Sequence, residues 1–206
     1  MQTEFKPTRS ALLEVRKRIK FSRKGHKILK MKRDGLVIEL FRVMDEARKA
    51  RARLVERYKV ASKKLAVAKS VEGVLGVRSA AFALTKQPEL DVRVKAVMGV
   101  RVSEIKAKGV RKRLDERGYG VIGTSEHIDE AAECFEDLVE EIVKTAEAET
   151  ALRHIMDEIE GTKRRVNALE FRIIPGLELS EGMIRQRLEE MERENIFRLK
   201  LLKGEA

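Results

Sequence analysis

His26, His127, His154 and the single Cys134 are the side chains of this 206-residue chain best suited to hold a metal ion or act as a nucleophile. Their spacing argues against both. His127 and Cys134 are two helical turns apart, too far to share one ion, and His26 and His154 have no Cys or His neighbour. Cys134, beside Phe135, reads as a small buried hydrophobe on an apolar stripe, and His26 as a polar residue that sets register inside a helical seam. The adjacent carboxylates Glu140-Glu141 and Glu189-Glu190 lie on helical patterns with no pocket-forming sequence nearby, so they read as solvated faces rather than a general acid and base. Gly118-Tyr-Gly-Val-Ile-Gly123 has the glycines of a phosphate loop, but no strand precedes it at the right spacing and the Lys-Ser/Thr pair is missing. It reads as a loop. No catalytic, cofactor or metal site is expected.

Charge is the stronger signal. The net charge is +11, with 45 Lys and Arg against 34 Asp and Glu. Its distribution says more than its sum. Residues 1–70 hold 22 basic and 7 acidic groups, 71–125 hold 11 and 6, and 126–206 hold 12 and 21, so the two ends of the sequence carry opposite charge and should attract. The densest basic cluster is Lys163, Arg164 and Arg165, within Gly161-Thr-Lys-Arg-Arg-Val-Asn-Ala-Leu-Glu170.

The elements that carry these groups are long helices. Only three prolines occur, Pro7, Pro88 and Pro175. A helix is expected from Thr8, its N-cap, to about Ser70, and would be about 90 Å long. With Leu12 as heptad position a, that seam runs through Leu12, Ile19, Leu29, Leu36, Leu40 and Leu54, with Val15 and Val43 beside them. A second helical pattern runs from Ser125, a candidate cap, to about Leu202, with Phe135, Leu138, Leu152, Ile159 and Val166 on its seam. The heptads imply a left-handed supercoil, and Pro175 should kink the second helix. Between them, Leu90 to Ile105 alternates apolar and polar residues around Met98-Gly99, which predicts a β-hairpin near 92–105.

The fold class expected is mainly α: a long antiparallel two-helix coiled coil with a small middle segment holding a short β-hairpin. The bounds are 1–70, 71–125 and 126–206, in one elongated unit. Folding the helices back on each other makes opposed residue numbers add to about 196, which puts Lys30, Lys32 and Arg33 level with Lys163 to Arg165 in a basic collar. The half near the middle segment is then charge-compensated, and the half with both termini is strongly positive. Something acidic, or a pore lined with polar groups, should receive it.

One cysteine allows no disulfide framework, and no leader or membrane-spanning run is evident, so a cytoplasmic location is expected. A basic coiled coil that binds nucleic acid is an alternative, as is a free-standing scaffold. Such nucleic-acid binding prefers basic clusters interleaved with aromatics, and the first helix offers only Phe21, Phe41 and Tyr58.

Six short motifs in order carry a resemblance: Pro7-Thr-Arg-Ser10, Gly25-His-Lys-Ile-Leu-Lys-Met-Lys-Arg-Asp34, Val97-Met-Gly-Val100, Thr162-Lys-Arg-Arg-Val-Asn-Ala-Leu-Glu170, Ile174-Pro-Gly176 and Phe197-Arg-Leu-Lys200. Together they resemble the D subunit of the vacuolar-type and archaeal A-type rotary ATPases, from about residue 7 to 200. The resemblance implies a non-catalytic central-stalk rotor coupling ATP synthesis or hydrolysis to H⁺ or Na⁺ transport. The implied partners are the catalytic A and non-catalytic B subunits, the small F subunit and a funnel-shaped subunit on the membrane ring. It also implies a place peripheral to the membrane. Lys32, Arg33, Lys163, Arg164 and Arg165 are then candidates for contacts in the bore of the A/B hexamer, and Phe197 and Leu199 for a bearing near the tip. The F subunit is expected on residues 36–70 and 126–160.

Overall fold

A computed structural model describes residues 7–84, 88–113, 117–120 and 124–204. The elements are α1 (Arg9–Phe82), β1 (Glu89–Val97), β2 (Val100–Lys108), α2 (Glu126–Ala168), a π-helical turn (Leu169–Ile173) and α3 (Ile174–Gly204). Contacts divide the chain into two compact units: Met1–Gly35 with Ile159–Ala206, and Leu36–Glu158. By sequence the first unit carries 22 basic and 12 acidic residues and the second 23 and 22, so nearly all the excess charge sits on the first.

Thr8 caps α1: its Oγ1 accepts a hydrogen bond from the Ala11 N–H at 3.2 Å. The helix then keeps the heptad. From Leu12 to Ala68 every a and d position is buried or half-buried except Arg57. Helix α1 also runs past its expected end near Ser70, to Phe82, and breaks stride only at Gly73 (φ 77°, ψ 162°). A residue with a Cβ is strained there. The extension forms because Val77 and Ala80 bury apolar surface with Ala68, Ile128 and Ala131.

Helix α2 departs from the heptad. Its seam residues Phe135, Leu138, Leu152, Ile159 and Val166 are buried or half-buried, but Ile142, Glu149 and Met156 of the same register are exposed. Burial passes instead to Ala151, Ile155, Thr162 and Val166. Ala151 to Thr162 and Ile155 to Val166 are each an 11-residue step, close to the pitch of a straight helix, so the heptad argument for left-handed winding does not extend to this stretch.

The start of α2 also differs from expectation. Ser125 does not cap it through its side chain: the Oγ is enclosed without a hydrogen-bond partner, and the first turn is closed by Ile128 N–H to Ser125 O at 3.0 Å. Glu126 and Asp129 supply the acidic first turn. Pro175 lies in the first turn of α3, directly after the π-helical turn, where Ile174 N–H reaches back to Leu169 O. The wider turn accommodates the ring that an α-helical interior would reject, so the chain stays helical through Pro175.

In the second unit the strands pair antiparallel from Glu89↔Lys108 to Val97↔Val100, longer than the expected 92–105. Met98 and Gly99 both have positive φ (49° and 80°), the signature of a type I′ turn. Residues 121–123 of the expected glycine loop lie outside the described residues; Arg117–Gly120 is neither helix nor strand.

Candidate subunit interface

In the first unit α1 runs antiparallel to the chain after Ile159, and four charged contacts mark the register: Arg9–Glu192 (2.6 Å), Arg16–Glu181 (2.7 Å), Arg23–Glu178 (2.7 Å) and His26–Glu170 (3.3 Å). Beneath them Val15, Ile19 and Ile184 bury together, packed by Leu12, Leu177 and Leu188. In the second unit Arg51–Glu149, Arg53–Glu141, Arg57–Asp137 and Lys64–Glu130 pair α1 with α2. In all eight pairs the residue numbers add to between 194 and 201, close to the 196 expected. Exposed pairs contribute about 0–1 kcal/mol each, so they set register while the apolar seam supplies the stability. At Lys64 and Glu130, 2.8 Å apart, the hydrogen bond raises the lysine pKa and lowers that of the carboxyl.

The stretch Gly161–Glu170 splits by depth. Thr162 and Val166 are buried, whereas Lys163, Arg164 and Arg165 between them face solvent. Arg164 has Glu160 one turn away at 3.8 Å, and Arg33 has its neighbour Asp34 at 2.8 Å, so both carry an acid from their own helix. Lys32 is half-buried. Phe197 and Leu199 are 63% and 65% exposed near the end of α3. His26 sits half-buried in the seam against Glu170, and His154 Nδ1 lies 2.9 Å from the carbonyl of Arg101 on the hairpin. Cys134 is half-buried rather than enclosed. Among the described residues no group of three His, Cys, Asp or Glu could hold a metal ion, and no helix is long and apolar enough to cross a membrane.

Sequence reasoning missed one cluster. Arg117, 6% exposed, donates from its guanidinium to the Asp129 carboxylate (3.2 Å) and to Glu136 Oε2 (3.3 Å), and the Tyr119 hydroxyl donates to Asp129 Oδ1 at 2.7 Å. Burial works against the Arg117 charge, but the bonds to Glu136 and Tyr119 outweigh it and raise its pKa. Burial and the bond to Asp129 push the Tyr119 hydroxyl up to about 12. Between them, Gly118 (φ 77°) could not carry a Cβ, which would lie 2.5 Å from the Ala83 carbonyl oxygen. This strap closes an apolar cleft of about 180 Å³ lined by Leu65, Val77, Leu84, Ile128 and Phe135. Its only sequence signal was an Arg followed by glycine and tyrosine in a stretch without periodicity.

Tyr119 gives a pH test. Its folded pKa is raised above the ordinary 10, so its contribution to stability is present below pH 10 and is lost as pH rises through about 12. Tyr119→Phe should flatten that alkaline loss in urea melts taken across this window; an unchanged slope would show that Tyr119 does not hold its proton in this way.

A family model described as the ATP synthase D subunit matches residues 11–204. The chain is 52% identical over 201 residues to the D subunit of an A-type ATP synthase from Methanoregula boonei, covering 98% of this chain and 96% of that one. It is likewise 52% identical over 203 residues to the corresponding protein of Methanosarcina mazei (98% and 97%) and 48% identical over 201 residues to that of Archaeoglobus fulgidus (97% and 96%). With paired helices, hairpin and seams all inside the matched span, the chain belongs to the ATP synthase D-subunit family.

Proposed function

We propose that the chain is the non-catalytic central-stalk rotor of an A-type ATP synthase, passing torque between an A/B hexamer and a membrane ion-translocating ring. The observation that carries this reading is the common antiparallel register: in each unit α1 is tied to the C-terminal helices by cross-helix pairs and buried apolar contacts. Twisting one helix therefore strains the other, which is what a shaft needs. A rotor couples only through differential contact with the hexamer's states. Lys32, Arg33, Lys163, Arg164 and Arg165 are the proposed bore contacts, with Phe197 and Leu199 as a bearing near the end of α3. The small F subunit is assigned to residues 36–70 and 126–160, and the funnel-shaped subunit to the membrane side. The working place is then peripheral to the membrane, in the cytoplasmic sector of the complex.

Affinity capture with this chain as bait tests the reading: recovery of A, B and F subunits supports it, and their absence with nucleic acid recovered instead would favour the basic-module alternative. At finer grain, Arg164→Glu with Arg165→Glu should weaken hexamer binding on the order of tenfold, since exposed interface charges act mainly through association rate and specificity. Unchanged ATP-driven rotation in a reconstituted complex would remove both residues from the bore contact.

A further inference from the structure

The spacing of buried residues along the C-terminal helices of the first unit slips by one residue at the π-helical turn. Before it, Ile159, Thr162, Val166 and Leu169 are buried or half-buried, three, four and three positions apart. After it come Ile174, Leu177, Glu181, Ile184 and Leu188, three, four, three and four apart. Between Leu169 and Ile174 the step is five, and the residues spanned, Glu170 to Ile173, are all exposed. The facing stretch of α1 shows no such step: Leu12, Val15, Ile19, Ser22, His26 and Leu29 alternate three and four throughout. One partner of the pair therefore holds a residue for which the seam has no place.

In an unbroken α-helix an extra residue turns everything after it by about 100°. Here that would bring Gly176, Met183 and Arg187 against α1 in place of Leu177, Ile184 and Leu188, which pack with Val15 and Ile19. The turn prevents this. Ile174 N–H donates to Leu169 O, five residues back, which closes the additional residue into one wide turn and returns Ile174 to the seam. Glu170, inside the turn, lies 3.3 Å from His26, so the wide part is tied to α1. Pro175 follows at once. In a regular α-helix its ring would meet the carbonyl of Phe171, so the proline suits the wide turn and not its loss.

We propose that the Leu169–Ile173 turn is a phase adapter: it takes up the one residue that the seam against α1 cannot use, and Pro175 holds it at this level. Helix α3 is thereby kept from turning about its own axis against α1. Twist applied to α3 passes into α1 instead of being lost at the turn. The burial pattern carries this whether or not the chain works as a shaft.

Urea unfolding of the full chain tests it on five proteins: the parent, Pro175→Ala, a deletion of Phe171, that deletion combined with Pro175→Ala, and a deletion of Lys24. Phe171 and Lys24 are both exposed, so neither deletion removes a core side chain. Deleting Phe171 shortens the step of five to four and restores an unbroken alternation, but it leaves Pro175 in an α-helical interior. Alone it should lower the unfolding midpoint by about 1 M urea. Combined with Pro175→Ala, it should bring the midpoint back to within about 0.3 M of the Pro175→Ala chain. Deleting Lys24, where α1 has no residue to spare, should lower the midpoint by about 1 M or more, or abolish folding. The proposal is overturned if the combined variant does not fold or unfolds as early as the Lys24 deletion. It is overturned equally if the chain tolerates the Phe171 deletion with Pro175 in place, or tolerates the Lys24 deletion.

Discussion

Replacing Leu36 with alanine should lower the unfolding free energy by about 3 kcal/mol, the middle of the range for deleting a core leucine side chain. Leu36 is among the largest side chains with no exposed surface, and it stands at a d position of α1 in a row continued by Val43 and Ala50, both also buried. Because Val43 and Ala50, the next two residues of the row, are small, the seam has little spare side chain to fill the vacated space. Ile38, two positions on and 74% exposed, is the matched control: Ile38→Ala should change stability by no more than about 0.5 kcal/mol. Urea unfolding of both variants checks the pair. Equal losses would mean that the heptad seam is not what holds α1.

Arg117→Ala is expected to cost about 2 kcal/mol. Removing one member of a fully buried ionic cluster costs about 3–5 kcal/mol, and the figure is reduced here because the Asp129 and Glu136 side chains are 33% and 15% exposed. The alanine variant leaves two carboxylates facing the space the guanidinium filled, with its charge gone. Arg117→Lys should recover only part of the loss, since one ammonium cannot reproduce the fork that reaches both acids. Urea unfolding checks both variants: an alanine variant within about 0.5 kcal/mol of the parent would mean that the cluster contributes nothing to stability.

How far the sequence could be read depended on whether a signal was periodic. The α1 seam was legible because its heptad is also the observed burial pattern, and the hairpin because only Met98-Gly99 suits a tight turn between alternating strands. The cross-helix register followed from folding the two helical segments back on each other about the middle segment. In α2 the d residues Leu138, Leu152, Ile159 and Val166 stay buried or half-buried, but the a row misled past Phe135, where Ile142 and Met156 are apolar yet exposed and burial drifts to Ala151 and Ile155. Composition along a heptad cannot show such a drift. Gly73 was hidden because one glycine inside a helical pattern looks like any other until its φ is known. The Arg117 cluster lies in a stretch with no period, where partners are fixed only by the fold.

Whether this chain turns is decided most directly by attaching a bead to it in a complex reconstituted with A, B and F subunits on a surface and supplying ATP. A central-stalk rotor predicts continuous rotation in one direction at a rate that tracks hydrolysis, slowed or stalled in the Arg164→Glu, Arg165→Glu complex. A bead that stays fixed on this chain while the complex hydrolyses ATP at its full rate would contradict it.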